Sequence, residues 1–250
     1  DTRSVIASNL KVQEKEIFFT SGGTESDNLA LIGLAMANQR AGKHLITTRI
    51  EHPAVLETMK YLETQGFFVT YLPVDHDGIV ELDALRAAMT PETILVSVMF
   101  VNNEIGSVQP IEEISKIVKM VNPQALLHVD AVQAYGKYRI YPKRMGIDLL
   151  AFSGHKTMGP AGIGVLYGKK ERLDVMEPLW YGGGMVDVVG NEDTSFTTIP
   201  YRLEAGTPNY PGAIGLGQAL HYLQEIGTRE IAAWEKELTD TLEQRLSEQK

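Results

Sequence analysis

Short apolar, β-branched runs alternate along the chain with longer stretches whose apolar residues recur at helical spacing. EIFFT leads into ESDNLALIGLAMANQR, HLITTRI into AVLETMKYLETQG, FFVTYLPV into ELDALRAAM and ILVSVMFV into IEEISKIVKMV, with ALLHVD and DLLAFS following. Runs of that length bounded by turn residues predict strands, and the 3.6-residue pattern between them predicts helices. The succession predicts an α/β domain of three layers, a mostly parallel sheet covered by helices on both faces. Ligands of such a sheet belong at the carboxyl ends of its strands. GIGVLYG interrupts the rhythm with closely spaced glycines and predicts an antiparallel strand. The segment 181–212, rich in Gly, Pro, Thr and Asn, reads as a long functional loop. Beyond it, Ile231, Trp234, Leu238, Leu242 and Leu246 predict a helix running on to Lys250.

Composition narrows the partners. With 250 residues and 44% hydrophobic content the chain can bury a substantial core. A formal charge of −9 argues against nucleic acid and anionic membrane, which need clustered Lys and Arg. No apolar run approaches bilayer length, and DTRSVIASNL lacks the features of a signal peptide, so a cytoplasmic location is expected. The count of zero cysteines excludes disulfides and Cys-ligated metals, and no metal site is expected. A small molecule or another protein is left as the partner.

Several groups at predicted strand ends carry chemistry. In Thr20-Ser21-Gly22-Gly23-Thr24-Glu25, glycines permit close approach, and helix N–H groups with the Thr24 hydroxyl suit a phosphate. The ordinary alternative is a Thr24 N-cap with Asp27 in capping-box position. Asp130 ends an apolar strand and suits a pyridinium nitrogen, with Gln133 placed for a ring oxygen; a helix N-cap is its alternative. Ser153-Gly154-His155-Lys156 offers an amine which, partly desolvated, becomes competent to form a Schiff base, between two phosphate-binding groups. His52, before Pro53, could stack on a flat ring or move protons, or be a histidine with satisfied hydrogen bonds. Asn103, in NNEIG, could reach a ring oxygen or substrate, and Thr207, in EAGTP, an anion; both segments also suit plain turns. Together these are the requirements of pyridoxal 5′-phosphate (PLP). A dinucleotide would need a glycine fingerprint that is absent and would leave Lys156 idle.

FFTSGGTESDNLAL, EHPAV, VNNEIGSVQPI, HVDAVQ and SGHKTMGPAGIGVLY resemble, in order and spacing, the cofactor motifs of the cysteine desulfurases, in the class V aminotransferase group of fold type I PLP enzymes. The resemblance implies that Lys156 holds the PLP aldehyde, Asp130 the pyridine nitrogen and Gln133 the phenolic oxygen, with His52 stacked on the ring. It implies further that Gly23, Thr24, Ser153 and His155 bind the phosphate and that Asn103 lies near ring and substrate. Thr207 would reach the phosphate of the opposite subunit, which implies a homodimer. The implied reaction converts L-cysteine to L-alanine and leaves sulfur as a persulfide on an enzyme cysteine, for delivery to an acceptor such as an iron–sulfur scaffold protein. That cysteine and the arginine for the substrate carboxylate lie downstream in the family. Residues 1–250 therefore read as the large PLP-binding domain, with 213–250 leading toward a smaller C-terminal domain, and the fragment itself is expected to be inactive. GGGMVDVV resembles the selenocysteine lyase-like branch, so another class V activity (aminotransferase or selenocysteine lyase) and a non-catalytic scaffold are the alternatives.

Overall fold

The computed structural model describes residues 1–189 and 194–248. In chain order the elements are α1 (Thr2–Leu10), β1 (Ile17–Thr20), α2 (Gly23–Asn38), β2 (His44–Thr48), α3 (Pro53–Thr64), β3 (Phe68–Leu72), α4 (Leu82–Ala88), β4 (Thr93–Met99), α5 (Ile111–Val121) and β5 (Leu126–Asp130). They continue with α6 (Pro142–Met145), β6 (Leu149–Ser153), β7 (Gly164–Gly168), α7 (Lys170–Leu173), β8 (Val186–Val189), β9 (Thr194–Phe196), α8 (Tyr210–Ile226) and α9 (Thr228–Ser247).

Seven strands form one sheet in the order β1-β7-β6-β5-β4-β2-β3. The pairings β6-β5-β4-β2-β3 are parallel, whereas β7 lies antiparallel between β6 and β1, as its glycine-spaced sequence predicts. The period-two pattern sorts side chains between two cores. Val96, Val98, Leu127, Val129, Leu150, Phe152, Val165 and Tyr167 face one core, shared with residues of α1, α5 and α8. Leu95, Leu126, Leu149, Ala151 and Leu166 face the other, with α2 and α3. Both faces are thus covered, and the central strands are buried and mainly apolar. By the same alternation His128 and Asp130, two residues apart on β5, share the α2 side with Leu126.

Two expectations change. Segment 181–212 is not all loop: β8 and β9 pair antiparallel, and Tyr201–Leu203 makes a 3-10 turn, because its β-branched Val and Thr residues suit a hairpin. Residues 190–193 of that segment, and the end of the predicted helix at 249–250, lie outside the described residues. Helix α1, which patterning alone does not announce, buries Ile6, Ala7 and Leu10 and is capped by the Asp1 side chain on the Arg3 N–H. Helix α9 forms as its spacing predicts, but Trp234, Leu238, Leu242 and Leu246 remain exposed. Among the described residues no helix is long and apolar enough to cross a membrane.

Candidate active site

At the carboxyl end of the sheet β1 runs straight into α2, so the turn Ser21–Gly22 decides what the helix N-terminus faces. Thr24 does not cap this helix. Gly22 is the N-cap and offers no side-chain hydrogen bond, Thr24 lies inside the first turn, and Asp27 is buried rather than closing a capping box. The turn on either side of this N-cap is tightly packed. A Cβ on Gly164 would lie 2.4 Å from the Gly22 carbonyl carbon, and one on Gly23 would lie 2.6 Å from Cγ2 of Val132. The glycine at the N-cap brings no capping side chain, which leaves the first-turn N–H groups of α2 open to an anion.

A cleft of about 240 Å³ opens beside this turn. It brings together Gly23 and Thr24 of α2, His52, Asn103, Asp130, Gln133, Ser153, His155 and Lys156, the predicted site residues apart from Thr207. Thr207 is exposed and lies in a separate depression with Ser21 and Trp180.

Each side chain is held by local chemistry. Asp130 ends β5, and its Oδ1 accepts from the Val132 N–H at 2.9 Å; no helix follows, so it is not an N-cap. His52 does cap a helix: its Nδ1 accepts from the Ala54 N–H at 3.1 Å, with Pro53 at the first position of α3 and the ring exposed at the cleft. Asn102 takes over the turn chemistry of NNEIG, its Oδ1 accepting from the N–H groups of Glu104 at 2.9 Å and Ile105 at 3.0 Å. Asn103 lines the cleft, its Nδ2 donating to Glu104 Oε1 at 3.0 Å. Ser153 is buried with its Oγ 2.8 Å from Nδ1 of His155. Lys156 closes a short 3-10 turn and is exposed at the cleft mouth, not partly desolvated as its proposed chemistry led us to expect. Its side chain stands where the cleft meets solvent, beyond the buried strand ends.

The floor of the cleft holds groups that patterning did not mark as functional. Asp27 and His128 are both buried, with Asp27 Oδ1 3.4 Å from Nε2 of His128. Glu51 is buried nearby, its Oε1 accepting from the Thr48 hydroxyl at 2.6 Å and the Met99 N–H at 3.0 Å. A polar residue inside an otherwise apolar helix face or strand was the available signal. Burial, reinforced by the charge of Asp27, pushes the Asp130 carboxyl up to about 7, against the opposing pull of the Val132 N–H, His128 and His52. Burial pushes Glu51 up to about 8 and Asp27 well above the usual carboxylate range.

These shifts have a consequence for stability. A carboxyl whose folded pKa is raised holds its proton when the unfolded chain has lost its own, so stability falls as pH rises between the two values. The cofactor-free chain is expected to lose stability from about pH 4, the ordinary Asp value, up to about 7 where Asp130 ionises. Urea denaturation at several pH values should show Asp130→Asn flattening this slope without abolishing it, since Glu51 and Asp27 act with the same sign. An unchanged slope in the variant would mean Asp130 ionises normally.

The aminotransferase class-V family model matches residues 1–250. The chain belongs to the class V aminotransferases. Over 92% of its length it is 48% identical to the cysteine desulfurase IscS of Methanosarcina thermophila, covering 51% of that protein. It is 45% identical over 90% of its length to the putative cysteine desulfurase IscS 1 of Bacillus subtilis, covering 55% of it. Among solved structures, the apo cysteine desulfurase of Thermococcus onnurineus matches 99% of the chain with a TM-score of 0.92 and 35% identity, the chain covering 61% of it. This class V chain thus spans about half the length of the curated relatives it matches.

Class V aminotransferases are PLP-dependent, and the residues present fit that cofactor. The uncapped α2 N-terminus, with Ser153 and His155, suits a phosphate. The buried carboxyls of Asp130 and Asp27 at the cleft suit a ring carrying positive charge.

Proposed function

We propose that the whole protein is a PLP-dependent cysteine desulfurase that converts L-cysteine to L-alanine. The observation that carries this reading is one cleft holding a reachable lysine, Lys156, a buried acid, Asp130, and an open helix N-terminus at Gly23 and Thr24. When bound, PLP supplies an electron sink for the carbanion that forms at the substrate α-carbon. Lys156 would hold its aldehyde, and Asp130 would keep the ring nitrogen protonated. Gln133 would donate to the phenolic oxygen, while His52 at the cleft rim would meet the ring and is suited to moving protons. Gly23, Thr24, Ser153 and His155 would bind the phosphate, and Asn103 would orient ring and substrate.

Sulfur transfer needs a cysteine thiolate to attack the substrate sulfur, breaking its C–S bond and forming an S–S bond while the carbon skeleton leaves as alanine. None of the 250 residues is cysteine, so that nucleophile is assigned to the rest of the protein, and by the family resemblance so is the carboxylate-binding arginine. The chain alone is therefore proposed to be inactive. The apolar stripe of α9 is where the smaller C-terminal domain is placed. Thr207, which lines a depression separate from this chain's own cleft, is assigned to the phosphate of a second subunit in a homodimer. A sulfur acceptor, such as an iron–sulfur scaffold protein, completes the pathway. The cytoplasm is the proposed compartment, because a persulfide enzyme works where thiols are kept reduced.

The full-length parent, loaded with PLP and given L-cysteine and a thiol reductant, is expected to release alanine and sulfide in equal amounts. Absence of both products would overturn the activity. A keto acid in place of alanine would assign an aminotransferase, and activity confined to selenocysteine would assign a selenocysteine lyase.

A further inference from the structure

Beneath the cleft a line of three side chains joins β4, β5 and α2. Ser97 Oγ lies 2.9 Å from Nδ1 of His128, and Nε2 of His128 lies 3.4 Å from Oδ1 of Asp27. All three residues are buried. The Ser97 side chain has no other hydrogen-bond partner among the described residues, so its proton is satisfied only by donating to Nδ1. That places the ring hydrogen of neutral His128 on Nε2, facing Asp27. Burial supports the neutral ring, holding His128 down to about 4.

Asp27 is divided between two environments. Its Oδ1 is sealed and lacks a well-aligned partner. The residue also lines the cleft floor beside Asp130, and Oδ2 is not among the sealed atoms. Two buried acids therefore face one space, with Glu51 behind them, His128 between the elements and His52 at the rim. Repulsion between them falls when a cation enters.

We propose that Ser97 and His128 form a buried relay that orients Asp27 as a second acid for the cofactor's ring nitrogen, sharing with Asp130 the task of keeping it protonated. This rests on the PLP reading above and adds to it a residue outside the motif set. Ser97 sets the tautomer, His128 Nε2 faces Oδ1 at 3.4 Å without a well-aligned hydrogen bond, and Oδ2 is left on the cleft side. Asp27 and Asp130 then titrate as a pair, not as separate groups.

The test uses the full-length protein loaded with PLP labelled with nitrogen-15 in the ring, and follows the ring-nitrogen chemical shift against pH. Asp27→Asn is expected to lower the deprotonation midpoint by about one pH unit, a tenfold change in the proton equilibrium. An unchanged midpoint overturns the proposal, as does weaker PLP retention without a midpoint change, since that would mark Asp27 as packing only. If Asp27→Asn does not fold, Ser97→Ala, which removes one hydroxyl, carries the test with a smaller shift in the same direction. In the cofactor-free protein, nitrogen-15 NMR of His128 is expected to show the Nε2–H tautomer, and a mixture of tautomers in Ser97→Ala. An Nδ1–H tautomer in the parent, or no change in Ser97→Ala, overturns the relay. A parent that binds no PLP defeats the cofactor reading instead, and the tautomer measurement still decides the relay.

Discussion

Replacing Lys156 with alanine is expected to abolish the borohydride-reducible attachment of PLP to the full-length protein. Cysteine turnover should fall by roughly 10²–10⁴-fold or more, the range associated with removing a group that moves protons in the transition state, with loss of covalent cofactor capture added to it. The fold should survive, because Lys156 is exposed and its side chain makes no hydrogen bond or ion pair among the described residues. PLP should still associate without a covalent bond, since Asp130 and the α2 N-terminus remain. This combination separates a lost lysine from a lost site. An unchanged absorption band and unchanged trapping by borohydride in the variant would place the aldehyde on another amine.

The largest stability effect is expected away from the cleft, at Asp148 just before β6. Its carboxylate is buried and accepts from Lys169 Nζ at 2.7 Å, Lys119 Nζ at 2.8 Å and the Leu127 N–H at 2.9 Å. Burial works against its ionisation, yet the two lysines and the N–H outweigh that and hold the carboxyl below its usual value. Asp148→Ala strands the buried Leu127 N–H and separates two lysines from their shared counterion. The lysines are only partly exposed, 30% and 22% by side chain, so water compensates them incompletely. The expected cost is about 2–4 kcal/mol, and thermal denaturation should register a fall of roughly 2–4 °C per kcal/mol for a chain of this size. Because the folded pKa is depressed, this stability is present above the ordinary Asp value of about 3.9 and is lost as pH falls through the folded one. The difference between parent and variant should therefore be full at neutral pH and shrink only in acid. A constant difference across that range would show that the ion pairs contribute nothing.

Much of the site is legible in the amino-acid sequence because strands announce themselves by apolar alternation and ligand groups follow their ends. Asp130, His52 and Lys156 stand out by their positions after such runs, and the fold brings them into one cleft. Asp27 is misread by pattern because helix periodicity marks the buried face without saying which strand lies opposite. A residue placed like a capping-box acid meets His128 across the α2–β5 contact instead. His128 itself hides in a strand whose other residues before Asp130 are aliphatic, where a single polar residue looks like an exception. The alternatives for His52 prove compatible, since Nδ1 caps α3 while the ring remains at the cleft. Thr207 illustrates another boundary: its place among the motifs is plain, but one chain's pattern does not bring it to the cleft.

The antiparallel strand β7 also governs the order in which the protein takes shape. Thr20 pairs with Gly164, and the Gly22 backbone packs against the same glycine. The phosphate-facing turn is therefore written near the beginning of the chain but buttressed by a strand made much later. On the ribosome α2 can coil early, yet its N-terminus has no wall to rest against until residues 164–168 have emerged. Contacts so far apart in sequence close slowly. The phosphate-facing turn is thus completed only after the central parallel strands β2 to β6 have been translated.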